Sequence, residues 1–222
     1  MNVLHFVSAF FSDGAHWHGY DGIPARMAEH LRYCVIALGL AAAVALPAGL
    51  LTGHYGRGGN TVALIATAGR ALPSFGLLVL MFIVFGFGLL PVMVPLVVLA
   101  VPPILVTTYE AVRSVDPSPV DAARGMGMGE FRVLFRVELP VALPLILSGL
   151  RSAAIQIVST ATIAAYVSLG GLGRYIIDGL YQRDYEKVVG GATLVAVLAL
   201  ATLAVFWATA RIAVSPGVRR SG

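Results

Sequence analysis

Five stretches of this chain, residues 31–52, 61–85, 90–109, 141–167 and 188–212, are each long and apolar enough to cross a bilayer. A hydrocarbon core of about 30 Å takes about 20 residues of helix. Inside it every backbone N–H and C=O must be paired within its own segment, so stretches of this kind are helices. The fold class follows before any motif is read: all-α, polytopic, with about five transmembrane helices. Composition agrees, since charged residues are 12% of the 222, about half the roughly 25% of soluble domains. No second domain and no internal repeat is visible. The expected division is 1–29 as an extracytoplasmic tail with a short helix, 30–213 as the membrane domain, and 214–222 as a cytoplasmic tail. Pro24 suits the first turn of that short helix, and residues 1–14 lack the basic start of a signal peptide.

The net charge of +4 does not point to nucleic acid, because the basic residues are scattered and form no footprint. Topology explains them. With the N-terminus outside, Arg57, Arg113, Arg124, Arg132, Arg136, Arg211, Arg219 and Arg220 fall on cytoplasmic segments. Arg26, Arg32, Arg174, Arg183 and Lys187 fall on outer ones. The larger set is inside, as the positive-inside rule requires. Cys34 is the single cysteine, which excludes an internal disulfide and a cysteine-built zinc site; it sits in an apolar run as packing.

Between the third and fourth spans lies the longest amphipathic, charged run, residues 120–140, VDAARGMGMGEFRVLFRVELP. The charge bias makes it cytoplasmic. Ser118 is expected as a helix cap, with Pro119 at the first helical position and Asp121 as a carboxylate at the third. Ala122 and Ala123 offer a small-residue face that lets another surface come close. Gly125, Gly127 and Gly129 weaken the helix and should end it near Gly127 or Gly129. A second amphipathic piece, 130–138, sets Phe131, Leu134 and Phe135 against Arg132 and Arg136, and Pro140 starts the next span. These residues support two readings: a docking helix braced by a second one, or a solvated loop whose arginines meet anionic headgroups.

Spacing separates the two. Asp121-Ala122-Ala123, three residues, Gly127, nine residues, Val137, one residue, Leu139-Pro140 resembles the loop signature of bacterial ATP-binding-cassette importer permeases, with Asp for the usual Glu and Val for the usual Ile. Ala71-Leu72-Pro73-Ser74, Val115-Asp116-Pro117, Arg124 to Met128, Val137 to Pro144, and Gly170-Gly171-Leu172-Gly173 extend the likeness over roughly 22–213. They are similar to the osmoprotectant (glycine betaine, carnitine, choline, proline) uptake permeases. The resemblance implies a MetI-like type I importer fold in the bacterial cytoplasmic membrane, with a coupling-helix region over 117–139. It makes Asp121, Ala122, Ala123, Arg124, Gly125, Met126, Gly127 and Met128 the interface to a separate ATPase. It also implies a second permease chain, identical or related, and an extracytoplasmic binding protein that delivers the substrate. ATP and Mg would bind on the ATPase, with no cofactor or metal on this chain. The chain itself has no G-x-x-x-x-G-K-[ST] phosphate loop, so it is not expected to be an enzyme. The nearest alternative is a permease for another small solute such as an amino acid. A scaffold is more distant, and so is a membrane enzyme built on His5, His16, His18, His30 or His54: it would need clustered His or carboxylates at the membrane face, and the pair His16 and His18 has only Asp13 and Asp21 as carboxylate partners.

Arg70 and Arg151 lie inside apolar stretches, where a charge costs about 2.5–3.5 kcal/mol on insertion scales. Each either lines a pore or gate, snorkels toward a headgroup, or bonds helix-end carbonyls structurally. Pro73, Pro102, Pro103 and Pro144 interrupt helix bonding; transport paths use such breaks, and so does plain packing. Arg70, Pro73, Ser74, Arg151, Tyr166, Gly170 and Gly171 are the candidate path or gate residues. The segment 168–173 gates the outer mouth or contacts the binding protein, or simply reverses the chain. For a quaternary ammonium cargo, the ring faces of Phe75, Phe85, Tyr109 and Tyr166 are candidate cation–π surfaces.

Overall fold

A computed structural model describes residues 3–167 and 169–213; Ser168 and the basic tail with Arg219 and Arg220 lie outside the described residues. Every regular element in it is helical. They are α1 (Val3–Ser12), α2 (Ile23–Tyr55), α3 (Gly59–Ala71), α4 (Ser74–Phe85), α5 (Leu90–Arg113), α6 (Pro117–Gly125), α7 (Glu130–Val133), a π turn (Leu134–Glu138), α8 (Leu139–Thr160), a 3-10 segment (Ala161–Val167), α9 (Gly173–Gln182) and α10 (Tyr185–Ala213).

The crossings can be counted from packing. A Cβ on Gly49 of α2 would stand 2.7 Å from Thr108 Cβ of α5, and one on Gly53 would stand 2.8 Å from Val112 Cβ. Residue numbers rise together along both helices, so α2 and α5 are parallel and end on the same face, beside α6. The chain must therefore recross between them. It does so in α3 and α4, which act as one span bent by 87°. Pro73 is the cause: it has no N–H to continue the helix, and it holds Leu72 in extended backbone with ψ 119. Five crossings are present as expected, with the second one broken.

Small residues bring the central helices together, as they do wherever lipid removes the hydrophobic drive between spans. Ala37, Ala41, Ala45 and Gly49 recur every four residues on the buried side of α2. α8 runs antiparallel to α5, with Ala142 and Ile146 packed near Ala111 and Val112 and Gly149 against Thr107 and Pro103. Large apolar side chains of α4 and α10, Ile83, Val84, Leu200 and Val205 among them, face outward.

Two expectations change. The short helix expected before the first span is the beginning of α2 itself, a single 33-residue helix with Pro24 in its first turn. The first residues are not a loose tail, because α1 docks on α10. Phe10 is fully buried, wedged over Gly190, edge-on to Tyr175 at 5.3 Å and stacked on His16 at 4.2 Å.

Candidate coupling helix and translocation cleft

The α6 helix is capped two residues earlier than its sequence suggests. The Asp116 carboxylate accepts a hydrogen bond from Ser118 N at 2.8 Å, and Pro117, not Pro119, opens the first turn. Ser118 is thus inside the helix. At the other end Gly127 adopts φ +80, and Met128 N donates back to Ala123 O at 3.1 Å. This is the glycine-closed helix end that spares the chain a Cβ clash. Asp121, Ala122, Arg124, Gly125, Met126 and Gly127 are exposed. Ala123 is not: it is 3% exposed and packs with Val120 on Val133, close to Met128 and Val137. The small-residue face therefore consists of Ala122 and the glycines, while Ala123 fixes the helix to its support.

That support is continuous with a span. The amphipathic piece 130–138 is no separate brace, because α7, the π turn and α8 form one helical rod. Pro140 would strike the carbonyl of Arg136 and leaves it without a donor. The turn before it widens accordingly, and Leu139 N donates to Leu134 O, five residues back. Widened turns of this kind often mark functional positions. Here it carries Glu138, 5% exposed, whose Oε2 lies 2.6 Å from His54 Nδ1 at the end of α2. His54 Nε2 lies 3.0 Å from Glu130 Oε2. Glu130 in turn receives both arms of Arg124, Nε at 3.1 Å and Nη2 at 3.0 Å. The hydrogen-bonded Glu130 carboxylate pushes the Arg124 guanidinium above its already high ordinary pKa.

Near the bend of the second span, a cleft of about 550 Å³ opens among α3, α4, α5 and α8. Arg70 and Ser74 line it, with Thr107, Glu110, Ser152, Gln156 and Thr160. The other path candidates are placed elsewhere. Pro73 makes the bend, and Arg151 turns away from the lining to reach Ser148 Oγ at 3.4 Å. Tyr166 packs edge-on against Phe75 at 5.3 Å, and neither they nor Phe85 and Tyr109 line the cleft. Sequence reading missed Glu110 and the α8 stripe of Ser152, Gln156 and Thr160. The signal was a polar residue every fourth position within an apolar run, which puts all three on one helix face.

Gly170 and Gly171 lie on the opposite face of the domain, beside the start of α2. Gly171 has φ +92 and donates its N–H to Glu29 Oε2 at 2.8 Å. Arg26 holds the same carboxylate at 2.8 Å and reaches Asp21 with its other arm. The Tyr175 hydroxyl donates to the Asp21 carbonyl, and burial pushes that phenol up to about 12. The loop is clamped to α2 through charged hydrogen bonds.

Residues 45–220 match the family described as binding-protein-dependent transport system inner membrane component. The chain is 32% identical over 194 residues to the carnitine transport permease protein OpuCB of Listeria monocytogenes, covering 87% of each. It is 35% identical over 172 residues to the choline transport system permease protein OpuBB of Bacillus subtilis, covering 78% of this chain and 79% of the relative. It is 33% identical to the osmoprotectant import permease protein OsmW of Salmonella typhimurium over 177 residues, 78% of this chain and 82% of the relative. Among solved structures, the fold superimposes with a TM-score of 0.72, at 25% identity, on a chain of the MetNI methionine ABC transporter, covering 85% of this chain and 94% of that one. With five crossings, a capped exposed helix before the fourth and this match over most of its length, the chain belongs to the binding-protein-dependent transport system inner membrane components, as a multi-pass permease subunit of the inner membrane.

Proposed function

We propose that this permease subunit forms half of a pore that imports small osmoprotectants such as glycine betaine, related quaternary amines or proline. One observation carries the powered-transport part: α6, capped at both ends, stands exposed at the end of the spans with its underside packed on the rod that becomes α8. Such a helix is a handle for a moving partner. In this proposal the partner is an ABC ATPase that holds ATP and Mg, a second permease chain completes the pore, and an extracytoplasmic binding protein delivers the cargo. The α6 face is cytoplasmic and the α1–α9 face is outside, an orientation supported by the excess of arginines on the α6 side. ATP-driven closure of the ATPases brings the two α6 helices together and opens the pore outward; hydrolysis returns it inward.

The cargo class rests on the relatives, whose names specify carnitine and choline. It is supported by the cleft, whose lining includes Arg70 of α3 and Glu110 of α5, side chains of both signs suited to a zwitterion. The test is uptake of radiolabelled glycine betaine, choline, carnitine and proline, with methionine as control, in cells lacking their own osmoprotectant importers. The chain is expressed there with its ATPase and binding protein. Uptake of at least one osmoprotectant, abolished by omitting the ATPase, is expected. Uptake of methionine alone would overturn the cargo, and uptake without any ATPase would overturn the power source.

A further inference from the structure

We infer that His54 is a positioning residue that ties the end of α2 to the coupling helix, so that motion of α6 reaches two spans at once. This inference rests on the coupling-helix role proposed above. The geometry is a chain of four side chains from three parts of the fold. Arg124 of α6 grips Glu130 with two hydrogen bonds. Glu130 Oε2 stands 3.0 Å from His54 Nε2, and His54 Nδ1 stands 2.6 Å from Glu138 Oε2. The His54 side chain is 2% exposed and that of Glu138 is 7% exposed, so both are held on all sides.

The surroundings favour a transmitting element over a passive one. Each ring nitrogen faces a carboxylate: Nδ1 hydrogen-bonds Glu138, while Nε2 stands within ion-pair distance of Glu130 without completing a hydrogen bond. A buried carboxylate without a partner is costly, so Glu138 keeps His54 in place through any movement of the rod. Arg113 of α5 also stands at this corner, its Nη1 2.9 Å from where a Cβ on Gly56 would lie; Tyr55 flanks the ring edge-on at 4.9 Å. Apart from His54, α6 reaches the spans through its short linker to α5 and through its own α7–α8 rod, which meets α2 by apolar contacts such as Leu50 near Leu139. His54 adds the polar link, so that the same displacement also pulls on α2 through Glu130 and Glu138.

The chemistry supplies its own controls. An asparagine amide occupies the place of Nδ1 and keeps the Glu138 bond, whereas a glutamine amide occupies the place of Nε2 and keeps only the close approach to Glu130. Neither spans both. Glu130 is 47% exposed at its side chain, so Glu130→Ala folds and removes the middle of the chain. The experiment reconstitutes the assembled transporter in vesicles and reads ATPase association, ATP hydrolysis and solute moved per ATP. For Glu130→Ala, His54→Asn and His54→Gln, the expected result is retained ATPase with a fall of roughly fivefold or more in solute per ATP, the low end of coupling between distinct sites. Full solute per ATP in Glu130→Ala overturns the inference. So does full rescue by His54→Asn, since that would reduce His54 to a partner for a buried acid. Loss of the coupling-helix role has a different signature: Ala122→Trp on the exposed face would leave ATPase bound and solute per ATP unchanged.

Discussion

The two ends of α2 are both held by charged side chains, yet they are built for opposite purposes. At the α9 end, Arg26 and Glu29 belong to α2 itself, and they clamp a loop whose neighbours Gly171, Leu172 and Gly173 are buried. Phe10 and Tyr175 pack beside it, and most of what holds this end together is closed inside the domain. At the α6 end, the anchoring groups come from three elements, and the helix they secure is exposed along Asp121, Ala122, Gly125 and Met126. The α9 end is fastened to itself. The α6 end is fastened to the spans and left free for something else. About 50 Å of continuous helix joins them, from 33 residues at 1.5 Å each.

The comparison breaks most sharply at Ala122. Ala122→Trp should reduce uptake to background and lose the ATPase on co-purification in mild detergent, with normal membrane levels of the chain. At the other end, Glu29→Ala strips Gly171 N–H of its acceptor and leaves Arg26 with Asp21 alone, a loss of about 1–3 kcal/mol. It should lower the melting temperature of the purified transporter and slow uptake while the ATPase stays bound. If Glu29→Ala also releases the ATPase, the two ends are not separable. Gly127→Val sharpens the α6 side by forcing a β-branched residue into left-handed backbone, at about 1–2 kcal/mol. Nothing in this chain stands within 4 Å of a Cβ there, so within the chain the cost is conformational. Asparagine tolerates left-handed backbone, so Gly127→Asn should restore most of the coupling; failure to do so would point to a clash with the partner instead. The smallest effect distinguishes the cap: Asp116→Ala should cost about 1 kcal/mol, seen as faster amide hydrogen exchange in α6. Ser118→Ala should change it by under about 0.5 kcal/mol.

How much of this was legible in the sequence follows from what each signal requires. The spans were legible because lipid demands length and apolarity, both properties of contiguous residues. The end of α6 was legible because only glycine takes φ +80 cheaply, and Gly127 stood at the right distance. Its start was misplaced because Asp116 and Ser118 are both good caps, and Pro117 and Pro119 both suit a first turn. The packing around Phe10 and the chain through His54 were not legible, since partners such as His54 and Glu138 are 84 residues apart. Arg151 was conspicuous as a charge among apolar residues, but which way it points is set by rotation of α8, and Ser152 took the cleft instead.

Pro102 and Pro103 stand on the cleft wall within a helix of hydropathy 2.3. Neither has an N–H, so the carbonyls of Val98 and Leu99, four residues earlier, have no helical donor. Acceptors of that sort can hydrate a passage without any polar side chain. If the cleft carries cargo as proposed, a solute that sheds water there meets oxygen atoms that no hydropathy profile counts.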